Sequence, residues 1–153
     1  MRLLGLDYGT VTVGVAMSDP TYTIAVPVET IRREEEVNLK STVRRIRALC
    51  EENDIHLVVV GLPKNMNGTE GAMAEKARSF AHRLERDLYL VDVVLFDERL
   101  STKQAEQPML EAGLKDRKKR KETVDQMAAS IVLQAFMDAH PDLKDKVWTR
   151  SES

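Results

Sequence analysis

Three carboxylates in this sequence stand where chemistry could use them: Asp7, Glu98 and Asp125. Asp7 closes the apolar run Leu3-Leu4-Gly5-Leu6 and precedes a tight break, Tyr8-Gly9-Thr10. Glu98 follows the apolar segment that ends at Phe96-Asp97, and Asp125 opens a last helical pattern. Acids gathered in one place repel each other unless a cation sits among them. Oxygen ligands with no His or Cys among them suit a hard ion, Mg²⁺ or Mn²⁺. Two such ions roughly 4 Å apart can activate a water and stabilise the leaving oxygen of a phosphodiester. Each acid also has a local use. Asp7 can accept hydrogen bonds from turn amides. Asp125 suits a helix N-terminus, and Glu98 can pair with Arg99 or Lys103. The order of the elements decides whether the three can meet.

Leu3 to Asp19 reads as a hairpin. Val11, Val13 and Val15 alternate with Thr12, Gly14 and Ala16, and such density of β-branched residues favours strand. A short glycine-containing gap joins the two runs. Asp19 to Thr23 is a turn cluster, and Ile24 to Ile31 is a third strand. Pro27 removes a ladder hydrogen bond, so this strand belongs at an edge or carries a bulge. From about Glu36 the period lengthens: Leu39, Val43, Ile46 and Cys50 mark an amphipathic helix with arginines on its outer face. Cys50 falls on the apolar stripe and reads as core.

Ile55 to Leu62 is a continuous apolar run, as expected of a strand covered on both faces. His56 at its entrance has no second His or Cys nearby to make a metal site. A turn-rich loop follows, in which Asn67 and Glu70 form a capping-box pattern for the next helix. Met73, Ala77, Phe80, Leu84 and Leu88 set that helix's stripe, with His82 off it. Leu90 to Phe96 is a fifth strand. Ser101 or Thr102 can cap a third helix running to about Ala112 and stopped at Gly113. A last helix starts near Thr123, turns Val124, Met127, Ala128, Ile131, Val132, Ala135 and Phe136 inward, carries His140 at its end, and stops at Pro141. Trp148 is placed to pin the C-terminal tail to the body.

The order is β-β-β-α-β-α-β-α-α. A three-stranded meander followed by two right-handed βα crossovers gives an α/β fold with one mixed five-stranded sheet, strand order 3-2-1-4-5, flanked by helices. Sites in open sheets form outside the carboxyl ends of parallel strands, near a switch in strand order. Strand one sits at that switch. Asp7 and Glu98 therefore share a rim, and Asp125 joins them if the last helix starts above it. Lys64 and Asn65 lie in the loop before a helix N-terminus, a natural anion site. Arg117, Lys118, Lys119, Arg120 and Lys121 are five consecutive cations. They read as a solvated loop or as a contact to a phosphate backbone; a mobile basic loop beside the acids would offset repulsion of a polyanion.

The totals bound the rest. A chain of 153 residues reads as one domain, 1–153, able to bury its own core. A formal net charge of −2 gives no global pull toward nucleic acid or membrane, so any nucleic-acid binding must be local. One cysteine excludes an intramolecular disulfide and suits the cytoplasm. Met1-Arg2 leads straight into a strand, so no secretory leader is expected. No apolar run nears the ~20 residues of a membrane-spanning helix.

Four blocks, LLGLDYGTVTVGVA, VVGLPKNMNGTEG, FDERLST and VDQMAASIVLQAF, resemble the signature segments of the YqgF/RuvX family. The resemblance runs from Leu3 to about Phe136. It implies an RNase H-like fold and a bacterial, metal-dependent nuclease, a hydrolase of ribosome biogenesis that matures the 5′ end of pre-16S rRNA. Holliday-junction resolution is the alternative that the resemblance to resolvases implies. Carried over residue by residue, the acids are Asp7, Glu98 and Asp125, with Mg²⁺ or Mn²⁺, two ions, as the implied cofactor. Related enzymes that use four acids offer Glu122, one turn before Asp125, as a fourth candidate. The implied partners are structured RNA or branched DNA and no membrane. A resolvase must cut two strands symmetrically and needs a dimer; an RNA processor does not, so a monomer or weak homodimer is expected.

The sequence leaves two other classes open. Leu6-Asp7-Tyr8-Gly9-Thr10 is similar to the phosphate loop of the actin and sugar-kinase ATPases, but those enclose ATP between two copies of the domain. A non-catalytic nucleic-acid- or ribosome-binding module would carry the same acids as structural groups. The small residues Gly9 and Thr10 would let a substrate phosphate approach the acids.

Overall fold

The computed structural model describes the backbone of residues 1–100 and 117–145 and the side chains of 1–100 and 123–143. The expected helix from Ser101 to Ala112 and the Trp148 anchor lie outside the described residues. Strands β1 (Arg2–Tyr8), β2 (Thr12–Ser18) and β3 (Ala25–Arg32) form the meander. Helix α1 (Lys40–Glu52), strand β4 (Ile55–Leu62), helix α2 (Ala72–Asp87) and strand β5 (Asp92–Asp97) form the crossovers. A 3₁₀ turn, Glu98–Leu100, leaves β5; helix α3 (Arg117–Ala139) and a 3₁₀ turn, Pro141–Asp145, follow. The sheet order is β3-β2-β1-β4-β5. β1 runs antiparallel to β2 and parallel to β4, as expected from the connections.

Period-two alternation divides the core. Leu4, Leu6 and Tyr8 of β1 and Val58 and Val60 of β4 face α1 and α2, among Val43, Ile46, Phe80 and Leu84. Leu3, Ala16, Leu57, Val59 and Phe96 face α3, among Ala129, Val132, Leu133 and Phe136. Every residue of β4 is buried, which is why that run shows no polar alternation. Phe136 meets Phe96 edge-on with centroids 5.8 Å apart, while Tyr8 stacks on Phe80 at 4.7 Å. Pro27 takes both expected roles: β3 is an edge strand, and its register with β2 shifts between Val15 and Ala16. Cys50 is buried on the α1 stripe. No helix among the described residues is long and apolar enough to cross a membrane.

The N-terminal turns of all three described helices differ from expectation. α1 begins at Lys40, not Glu36, because residue 33 is drawn back onto the hairpin and the chain to Leu39 stays irregular. α2 begins at Ala72 with Gly71 as its cap and no side-chain capping bond. Asn67 instead accepts from the amide and hydroxyl of Thr69, at 3.1 and 2.6 Å, and Glu70 is forked by Arg78 at 2.6 and 2.7 Å. α3 is already helical at Arg117, so the run 117–121 is helical backbone and not a loop. Lys, Arg and Glu are good helix formers, and the amphipathic pattern marks only where the apolar stripe starts. Asp125 is accordingly the ninth residue of α3, and the helix-N-terminus account of it does not apply.

Candidate active site

Asp7 is half-buried near the end of β1. Its partner across the β1–β2 ladder is Gly14. On the other side, β1 and β4 pair through Leu6 and Val60, so one step further on Asp7 is flanked by Gly61. Gly61 in turn pairs with Phe96 of β5. Gly14, Asp7, Gly61 and Phe96 thus form a row across the sheet, on the face that α3 covers.

The two glycines explain how the other acids reach this row. A Cβ on Gly14 would stand 2.0 Å from the backbone oxygen of Asp125 and 2.4 Å from its carbonyl carbon. Only glycine lets α3 lie against the sheet there. The side chain of Asp125 is also held: Thr12 Oγ1 donates to its Oδ2 at 2.9 Å. A Cβ on Gly61 would stand 2.5 Å from Oε1 of Glu98. Glu98 therefore folds back from the 3₁₀ turn over the end of β4, next to Asp7. One acid lies in the row, and each of the others occupies a space that a glycine of the row leaves open.

The acid beside Glu98 takes a different part. Phe96 faces α3, so alternation turns Asp97 to the α2 side. There Arg99 forks onto it, its Nε at 3.0 Å and Nη2 at 2.7 Å from Oδ2. The Arg99 guanidinium holds the Asp97 carboxyl below the usual carboxylate range. Arg99, one of the two partners expected for Glu98, is committed to Asp97; Lys103 lies outside the described residues.

The hairpin turn is fixed from below. Gly9 N–H donates to the Thr12 carbonyl at 2.7 Å. A Cβ there would meet the Thr12 carbonyl oxygen at 3.0 Å, so a larger residue would crowd the turn. Arg33, 5% exposed, donates through Nη2 to the carbonyls of Gly9 and Thr10, at 2.8 and 2.6 Å, and through Nε to Glu36 O at 3.1 Å. Its guanidinium lies over the Tyr8 ring, 4.9 Å from the centroid. Thr12 and Arg33 are the site's unforeseen supports. In the sequence Thr12 stands out only as a member of the Thr12-Gly14-Ala16 face, and nothing local marks Arg33.

The basic candidates divide. Lys64 lies 4.0 Å from Glu70 and also near Asp97. The Asn65 side chain donates to Thr69 Oγ1 at 2.9 Å, and its backbone closes the 65–69 turn. Asn65 shapes the loop and does not stand at the α2 N-terminus. The side chains of Arg117, Lys118, Lys119, Arg120, Lys121 and Glu122 lie outside the described residues; their backbone forms the first turns of α3.

Among the described residues, no group of three or more His, Cys, Asp or Glu side chains is placed so that it could hold a metal ion. The donor set still fits one class of ion. As oxygen donors without His or Cys, Asp7, Glu98 and Asp125 are of the chemical type that suits Mg²⁺ or Mn²⁺. Mg²⁺ usually keeps several waters and takes one or two carboxylates together with substrate phosphates.

The fold has counterparts among nucleases. It superposes on Thermus thermophilus RuvC, solved in complex with a Holliday junction substrate, with a TM-score of 0.56 at 20% identity, covering 92% of this chain and 96% of RuvC. The fowlpox virus Holliday junction resolvase gives 0.52 at 15% identity, covering 91% of this chain and 99% of the resolvase. The fold is therefore RNase H-like. A family model described as "RuvX: Holliday junction resolvase" matches residues 1–139. Proteins of Bacillus thuringiensis (strain Al Hakam) and Bacillus anthracis (strain A0248), each named "Putative pre-16S rRNA nuclease", are 49% identical over 139 residues, 91% of this chain and 99% of theirs. The chain belongs to the RuvX family, a nuclease family.

Proposed function

We propose that this protein is a divalent-metal-dependent endonuclease that hydrolyses phosphodiester bonds in the 5′-end processing of pre-16S rRNA, in the cytoplasm. The observation that carries the chemistry is the row Gly14-Asp7-Gly61, with Asp125 seated against one glycine and Glu98 over the other. Asp7, Glu98 and Asp125 would hold the ion or ions, Mg²⁺ or Mn²⁺. When bound, such ions supply Lewis acidity for an attacking water and a leaving oxygen. The chain's own contribution is positioning. Arg33 and Gly9 keep the turn after Asp7 rigid, Thr12 holds Asp125, and Asp97 draws Arg99 to the other side of the sheet from the three acids. Lys64 and the cations 117–121 are the candidates for phosphate-backbone contacts.

The RNA substrate is favoured by the names of the relatives at 49% identity. Holliday-junction cleavage is the second reading, favoured by the family description and the RuvC fold. A parallel assay separates them: purified protein with Mg²⁺ or Mn²⁺, offered a pre-16S leader RNA and a four-way DNA junction. The proposal expects cleavage of the RNA, none without divalent ion, and none by Asp7→Asn. Symmetric cutting of the junction with intact RNA would select the second reading. Intact substrates under all conditions would leave a binding module.

A further inference from the structure

We propose that Thr12 is a positioning residue for the metal site: its hydroxyl sets the orientation of the Asp125 carboxylate and thereby the affinity for the divalent ion. This rests on the reading of Asp125 as a ligand. The bond from Thr12 Oγ1 to Asp125 Oδ2 is 2.9 Å and joins residues 113 apart in sequence. Thr12 is 3% exposed, so water competes little for its hydroxyl. A hydroxyl bonded to one carboxylate oxygen restrains rotation of the carboxylate while using only one of its acceptor positions. Groups that hold a ligating carboxylate in this way tune metal affinity.

The surroundings are built around this contact. Thr12 and Gly14 share a face of β2, and the absent Cβ of Gly14 admits the Asp125 backbone. A Cβ on Gly9 would crowd Thr12 Oγ1 at 3.1 Å, so the turn glycine also keeps room around the hydroxyl. β2 itself has no need of that hydroxyl: a valine would fill the strand position equally well. One hairpin thus supplies Asp7 from its first strand and restrains Asp125 from its second. Both acids are thereby tied to the same hairpin before any ion binds.

The test compares Thr12→Val, which keeps the shape and removes the donor, with Thr12→Ser, which keeps the donor, and with Asp125→Asn. Mn²⁺ affinity is read by calorimetric titration of the full chain, without substrate, and folding is checked by circular dichroism. The expected result is a Kd for Mn²⁺ about tenfold weaker in Thr12→Val, near-native binding in Thr12→Ser, and a larger loss in Asp125→Asn. Native affinity in Thr12→Val beside a loss in Asp125→Asn would overturn the role of Thr12 alone. Thr12→Ser as weak as Thr12→Val would assign the effect to the methyl group and overturn it too. Native affinity in Asp125→Asn would remove the ligand reading on which the inference stands.

Discussion

Replacing Gly61 by alanine should separate activity from stability. The new Cβ would stand 2.5 Å from Glu98 Oε1, 3.1 Å from its Cγ and 3.2 Å from its Cδ, and no backbone atom is among these contacts. Relief needs the carboxylate to swing away by about 1 Å, which the end of a flexible side chain can do at little cost to the fold. Alanine also restricts the unfolded chain, which favours folding by roughly 0.4–1 kcal/mol where the native backbone is compatible. The net change in stability should stay within about 1 kcal/mol. Activity responds differently. A reacting group misplaced by about 1 Å can lose on the order of 10²-fold in rate, equivalent to about 2.7 kcal/mol of barrier. Urea denaturation gives the first quantity and single-turnover cleavage at saturating Mg²⁺ the second. Glu98→Gln is the reference for complete loss of the carboxylate. Native cleavage by a folded Gly61→Ala variant would refute the claim that Glu98 acts from over β4.

Gly14→Ala should behave in the opposite way: its Cβ meets backbone, the Asp125 carbonyl at 2.0 Å. α3 must back off the sheet, so urea denaturation should show a loss of about 3 kcal/mol or more. Arg33→Met keeps the stem but removes the bonds to the Gly9, Thr10 and Glu36 carbonyls. Charged-donor bonds are individually strong but the buried charge is costly, so a net loss of roughly 2–4 kcal/mol is expected, with faster amide exchange at Gly9. Asp19 accepts from the Ile24 amide, the Thr21 hydroxyl and the Thr23 amide, which hold its carboxyl far below the usual range. A depressed folded pKa contributes stability above the unfolded value and loses it as pH falls. The gap in Tm between wild type and Asp19→Ala should therefore be largest near neutrality and shrink below about pH 4. A gap that holds constant to pH 2 would contradict that account.

How far the sequence carries this site follows from which signals are local. The apolar run Leu57–Leu62 and the acid ending Leu3–Leu6 are local, and they suffice for the sheet order and for Asp7 and Glu98 on one rim. The capping-box pattern at Asn67 and Glu70 is local as well, yet misleads. Thr69 and Arg78 offer those side chains stronger partners than the helix amides do. The helical turns at 117–121 are hidden because a polar helical turn carries no apolar stripe. The contacts that refine the site cross the chain. Thr12 finds Asp125 only once α3 lies on β2, and Gly14 and Gly61 gain their meaning from atoms more than thirty residues away. A glycine within a strand signals a close approach, but not to what.

The central claim is that Asp7 anchors a metal-dependent cutting site and is not a structural turn residue. Asp7→Asn tests it most directly when folding, RNA binding and single-turnover cleavage of pre-16S leader RNA are measured together with Mg²⁺ or Mn²⁺. The account predicts a folded protein, at least as stable as wild type in metal-free buffer because repulsion among the acids is relieved. It should bind the RNA and not cut it. Cleavage at the wild-type rate by Asp7→Asn, or loss of the fold without metal, would contradict it.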